Sequence, residues 1–115
     1  MSTDRTEKRR TPRCAIDLFV QEVNGERTFL HPAIDLSADG IYILAQDGRK
    51  AVDGGRAIRL EFALPTGLSV ETEGRIVHVD DRGGQLGLRI AFQDLPAAAR
   101  AGIEAFVLET LGEAA

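Results

Sequence analysis

Tryptophan is absent from these 115 residues, and tyrosine, cysteine and methionine occur once each. With five phenylalanines and one tyrosine as its aromatics, the chain lacks the stacking platforms that barrels need to track single-stranded nucleic acid. The lone Cys14 cannot close an internal disulfide, so nothing requires an oxidising compartment. At the head of an alternating apolar run, it reads as a small core hydrophobe rather than a reactive thiol.

Histidine is scarce too. His31 and His78 have no cysteine or carboxylate at metal-ligand spacing, and a lone histidine on a strand is more often a satisfied structural residue than a ligand. No serine sits in a nucleophile elbow, and no glycine-rich loop ends in Lys-Ser or Lys-Thr. Asp80-Asp81 precedes Arg82-Gly83-Gly84, which is hairpin-turn chemistry rather than an acid/base pair. The expectation is a protein that is not an enzyme and holds no metal or cofactor. No segment approaches roughly 18 consecutive apolar residues, and the opening MSTDRTEKRR has no apolar signal core. A cytoplasmic protein without membrane insertion is expected.

What is present suits one globular domain. A chain of this length can bury a core unaided, and 43% apolar with 28% charged residues supports a packed, soluble fold. The net charge of −4 is unevenly spread. Residues 1–13 hold Arg5, Lys8, Arg9, Arg10 and Arg13 against Asp4 and Glu7, a net of +3, and the rest of the chain nets −7. A general nucleic-acid binder spreads positive charge over its folded face. An acidic body with one basic arm suits a small anionic ligand better, and neither DNA nor RNA is expected as a partner.

Period-two alternation dominates the body. Ile16, Leu18 and Val20 share one strand face, as do Ile58, Leu60, Phe62 and Leu64, and again Leu86, Leu88, Ile90 and Phe92. Asn24-Gly25 signals a hairpin between the first strand and ERTFLHPAIDLS, in which Pro32 demands an edge or a bend. GIYILA at 40–45 is a short strand. In LSVETEGRIVHV the alternation slips, and a bulge is expected at Gly74. After Phe92 the period becomes helical. Asp94, Leu95 and Pro96 form a helix start, and Ile103, Phe106, Val107, Thr110 and Leu111 make an apolar stripe. The expected fold is all-β with a terminal helix: six or so antiparallel strands in a curled sheet or small barrel, and one C-terminal helix over about 94–112.

Two short stretches carry the chemistry. In DLSADG, residues 35–40, Asp35 and Ser37 lie two places apart on a strand and so share a face, while Leu36 turns to the core. Gly40 permits positive φ or close approach of another molecule to bare backbone. Taken alone, the hexapeptide reads first as a plain turn. In RRTPR, residues 9–13, Pro12 disfavours helix at Thr11, so Arg9, Arg10 and Arg13 spread over an extended or turned arm. Taken alone, this is a solvated tail. Together they suggest more. A carboxylate offers two acceptors to the N1–H and N2–H donors of guanine. Arginine reads the other guanine edge and binds phosphate.

RRTPR and DLSADG, in that order and at that separation, resemble the R-x-x-x-R and [D/N]-x-S-x-x-G motifs of PilZ domains. GGRAIRLEFALP at 54–65 and GRIVHVDDRGGQLGLRIAF at 74–92 are similar to the family's middle strand and later hairpin, so the resemblance covers nearly the whole chain. It implies a six-stranded antiparallel β-barrel of split-barrel type, here residues 14–115 with the helix, preceded by a mobile arm at 1–13. It also implies a receptor for cyclic di-GMP, a bacterial second messenger, acting in motility or biofilm regulation. By that resemblance Arg9, Arg10 and Arg13 hold phosphates and guanine edges, Asp35 and Ser37 hydrogen-bond a guanine, and Gly40 lets it lie close. Tyr42 is a further candidate stacking face. Binding would order the arm and so signal to an unidentified downstream protein. The alternative the family offers is a protein-interaction adaptor that works without the nucleotide.

Overall fold

In the computed structural model, residues 11–45 and 57–114 are described. The strands are β1 (Arg13–Asn24), β2 (Arg27–Ser37), β3 (Gly40–Ala45), β4 (Ala57–Ala63), β5 (Ser69–Asp81) and β6 (Leu86–Gln93), followed by α1 (Ala97–Ala114). All pairings are antiparallel, and the strands close into a barrel in the order β1-β2-β3-β6-β5-β4. Of the curled sheet or small barrel that the periodicity left open, the structure has the closed six-stranded barrel that the family resemblance implies, with one C-terminal helix.

Alternation in the sequence becomes inside and outside in the barrel. Val20, Leu36, Ile41, Ile43, Leu60, Ile76 and Leu88 are fully buried, each burial being worth about 1.5–3 kcal/mol. Polar residues between them face outward, as Arg59 does between Ile58 and Leu60. Glu22, His31 and Thr72 are the exceptions among the described residues. Glu22 and His31, at 2% and 1% exposure, are joined at 2.9 Å, and the Thr72 hydroxyl donates to the Glu73 and Gln93 carbonyls. His31 is therefore a satisfied interior residue, as anticipated for a lone strand histidine.

Three details depart from expectation. The slip in β5 lies not at Gly74, which stays in register opposite Phe92, but between Ile76 and His78. The skipped residue is Val77, left 53% exposed. An extra residue at a bulge needs no glycine, which is why the glycine misplaced it. The β1–β2 loop comprises Gly25 and Glu26, with Asn24 paired to Arg27 and Gly25 at φ 64. The helix begins at Ala97, not Asp94. Asp94 has a left-handed φ of 55, and the Pro96 carbonyl accepts the Arg100 N–H. Pro32 sits where β2 pairs with β1 only, since the β2–β3 ladder runs from Ala33 to Leu36. There a missing N–H takes nothing from the β2–β3 ladder.

Ile103 and Val107 of α1 are fully buried in the barrel core, with Phe106 packed beside them, whereas Leu111 is 39% exposed at the end of the expected stripe. The helix is thus part of the core rather than an appendage. Ile103→Ala should lower the unfolding free energy by about 2–5 kcal/mol in urea titration. An unchanged midpoint would mean that α1 does not share the barrel's cooperative unit.

Candidate functional site

The β2–β3 turn is built by short-range hydrogen bonds and then fixed from two other elements. Ser37 Oγ accepts from the N–H groups of Asp39 at 3.1 Å and Gly40 at 3.2 Å. The Asp39 carbonyl accepts from Phe92 N–H at 2.9 Å. From α1, Arg100 donates to the Ala38 carbonyl at 3.1 Å and to the Asp39 carboxylate at 2.8 Å. Charge-assisted bonds of this kind are the stronger class, so the turn is held in one shape before any ligand arrives.

Gly40 has a role different from the two offered by the sequence. It is not among the positive-φ glycines. A Cβ there would stand 2.2 Å from the Ile90 carbonyl oxygen, so the bare backbone is required by β6 of the same chain. The close approach this structure displays is internal.

Asp35 and Ser37 share a face as expected, with Leu36 between them fully buried. Asp35 is nevertheless already engaged. Arg89 Nη1 and Nη2 donate to its two oxygens at 3.1 and 3.2 Å, a two-pronged fork across β2, β3 and β6. The Arg89 guanidinium lies over the Tyr42 ring at 4.7 Å, with Arg82 over the same ring at 5.7 Å. Tyr42 is 5% exposed because its ring rests where a Gly87 side chain would be: a Cβ there would lie 2.0 Å from the Tyr42 hydroxyl. The ring is a support for arginines and offers no open stacking face. Its hydroxyl donates to Asp80 at 2.5 Å, and His78 reaches Asp80 at 2.7 Å. The Tyr42 hydroxyl is the main reason the Asp80 carboxyl titrates below its ordinary value. Burial, with the Asp80 bond second, pushes the Tyr42 phenol up.

An open cleft of about 210 Å³ brings these parts together, lined by Thr11, Arg13, Ser37, Gly40, Val77 and Arg89 among others. Arg13 faces Ser37 across the β1–β2 ladder, and Asp35 lies two places along it opposite Ala15. The root of the basic arm and the DLSADG turn therefore meet in one place. Asp35 itself is not a wall of the cleft. Arg9 and Arg10 lie outside the described residues. A larger groove of about 420 Å³, over β1, β2, β4 and β5, includes Phe19 and Leu30 but none of the motif residues. Among the described residues no cluster of His, Cys, Asp or Glu could hold a metal, and no helix is long and apolar enough to cross a membrane.

Arg89 and Arg100 were missed by reading the sequence. Arg89 shows there only as the outward residue of an alternating strand, and its partner lies 54 positions away. Arg100 shows only as a polar helical residue.

The fold and site define a small β-barrel module: a closed six-stranded barrel with a terminal helix and a cleft between an arginine-bearing first strand and a D-x-S-x-x-G turn. The profile of the PilZ domain matches residues 7–109, and the chain belongs to that family. No curated protein sequence matches it. Among solved structures, it resembles the inhibitor of motility MotI/DgrA of Bacillus subtilis with a TM-score of 0.83 at 19% identity, covering 91% of this chain and 52% of that one. It resembles the PilZ domain of Escherichia coli YcgR with c-di-GMP with a TM-score of 0.75 at 17% identity, covering 93% and 94%. The MrkH–c-di-GMP complex of K. pneumonia follows with a TM-score of 0.72 at 16% identity, covering 92% and 53%. The chain thus spans about half of the MotI and MrkH chains and nearly all of the isolated YcgR domain.

Arg100→Ala should speed amide exchange at Asp39 and Gly40 a few-fold, since the Arg100–Asp39 pair is about half exposed and such pairs contribute about 0.2–1 kcal/mol. Unchanged exchange would mean that Ser37 and the Phe92 N–H hold the turn without Arg100. In Tyr42→Phe the Asp80 carboxyl should titrate at higher pH than in the wild type, read from its side-chain carbon resonance. The sign follows from the lost donor: a carboxylate whose folded pKa is depressed keeps that contribution above its unfolded pKa and loses it as pH falls through the folded one.

Proposed function

We propose that this chain is a cyclic di-GMP receptor. The observation that carries the reading is the shared cleft: Arg13 at the root of the basic arm faces Ser37, with Gly40 alongside. Arg9, Arg10 and Arg13 hold the two phosphates and read guanine edges, Asp35 and Ser37 bind a guanine, and the backbone at Gly40 forms the floor. The YcgR and MrkH structures of the same fold carry this nucleotide, which supports the choice of ligand.

In this reading residues 1–13 act as the arm and 14–115 as the binding body. Without ligand, three clustered guanidinium groups repel one another, and the dianion offsets that repulsion by bridging them to the β2–β3 turn. Ordering the arm creates the surface that a downstream protein reads, at a cost in net affinity. The output lies in motility or biofilm regulation. The motility inhibitor among the fold's relatives supports this, and one relative is described as a transcription regulatory factor.

Titration calorimetry with cyclic di-GMP tests the proposal. Arg13→Ala and Asp35→Ala should each weaken binding by about tenfold or more, as expected for lost charged contacts, while Arg59→Ala on the outside of β4 should not. Amide exchange in residues 5–13 should slow on saturation. Heat absent from the wild type would hand the chain to the adaptor reading, and an arm unaffected by bound ligand would remove the signalling mechanism.

A further inference from the structure

We infer that Arg89 is an internal stand-in for guanine: its fork occupies Asp35 and passes to a ligand phosphate when guanine takes its place. The inference rests on the receptor reading above and adds a residue and an exchange to it.

The argument begins with the donors. Guanine presents N1–H and N2–H side by side, and a guanidinium presents the same pattern of two parallel N–H donors. Arg89 already places such a pair on Oδ1 and Oδ2 of Asp35 at 3.1 and 3.2 Å. Both end-on acceptor positions are therefore in use, and a guanine edge needs the same two. One donor pair must leave for the other to bind.

Position supports the exchange. Arg89 lines the cleft and Asp35 does not, so the fork is the link between the carboxylate and the cleft wall. The pair is neither sealed nor free, with the side chains of Arg89 and Asp35 34% and 24% exposed. Water competes for such a fork, and it is weaker than a buried pair. Once displaced, the guanidinium remains at the mouth of a cleft it shares with Arg13, where a dianionic ligand brings its phosphates. The swap keeps Asp35 paired throughout and gives Arg89 a charged partner in exchange. The wall on the far side of Arg89 is the Tyr42 ring, fixed by Asp80 and seated over Gly87, so the side chain's movement is directed outward.

Lysine separates the two roles, because it keeps the charge for phosphate but cannot form a planar two-donor fork. Calorimetric titration of the full chain with cyclic di-GMP is expected to give Arg89→Lys binding equal to the wild type or up to about tenfold tighter, the gain reflecting the modest worth of the lost fork. Arg89→Ala, which loses the phosphate partner as well, should bind about tenfold more weakly than Arg89→Lys. If Arg89→Lys binds more weakly than the wild type, Arg89 is a fixed support for Asp35 and the exchange is wrong. Tyr42 is the chain's one tyrosine, so a 3-fluorotyrosine label gives one resonance that checks the β3–β6 face in each variant. Should Arg89→Ala not fold, the lysine variant against the wild type decides alone: equal or tighter binding supports the exchange, and weaker binding overturns it. A wild type that does not bind at all overturns the receptor reading itself, and this inference with it.

Discussion

Closure of the barrel runs through the ladder between β3 and β6, and that ladder depends on how near the Ile90 carbonyl can come to Gly40. Any side chain at Gly40 would collide with main chain, which cannot swing aside as a flexible side chain can. The rest of the site follows from this contact. With β6 drawn against β3, Arg89 falls beside Tyr42 and within reach of Asp35 on the next strand. Phe92 likewise comes within hydrogen-bonding distance of the Asp39 carbonyl. A glycine whose sequence context suggests ligand contact is first a condition for closing the sheet.

The outside of that sheet is unusually well organised for a solvent-facing surface. Asp35, Tyr42, Arg89 and His78 are cross-strand neighbours in one row over β2, β3, β6 and β5. Exposed ion pairs ordinarily contribute little, because long side chains lose freedom to form them. Here the loss is reduced by geometry: Tyr42 lies flat over Gly87, and two guanidinium groups rest on its ring. Cation–π contact with a fixed ring, together with the Asp35 fork, confines Arg89 without burying it.

The fold was legible because each strand buries one face. Alternation at Ile58, Leu60 and Phe62, or at Leu88 and Ile90, is the direct imprint of a barrel with one inside. The change of period after Phe92 marks the helix for the same reason. Less legible was anything set by which strands become neighbours. The pairing of β3 with β6 joins segments far apart in sequence, so the Arg89–Asp35 fork and the hold of Arg100 on the β2–β3 turn leave no local trace. The β5 bulge was misplaced because a glycine drew attention from Val77, where the register actually shifts. For the site, the strand spacing of Asp35 and Ser37 put them on one face, and the β1–β2 ladder brought Arg13 to them. Arg9 and Arg10 fall outside the described residues, so their part rests on the motif alone.

Arg100 joins the terminal helix to the tip of the β2–β3 turn through one carbonyl and one carboxylate. The helix also contributes Ile103 and Val107 to the core, so it cannot shift without the barrel registering the change. The turn and the helix therefore form one mechanical unit. By thermodynamic reciprocity, a macromolecule that gripped the helix and disturbed Arg100 would change the affinity of the turn for any ligand bound there by the same factor that the ligand changed the grip. The outward side of α1, where Leu108 stands 54% exposed, thus belongs to the same element whose Arg100 bonds to the turn.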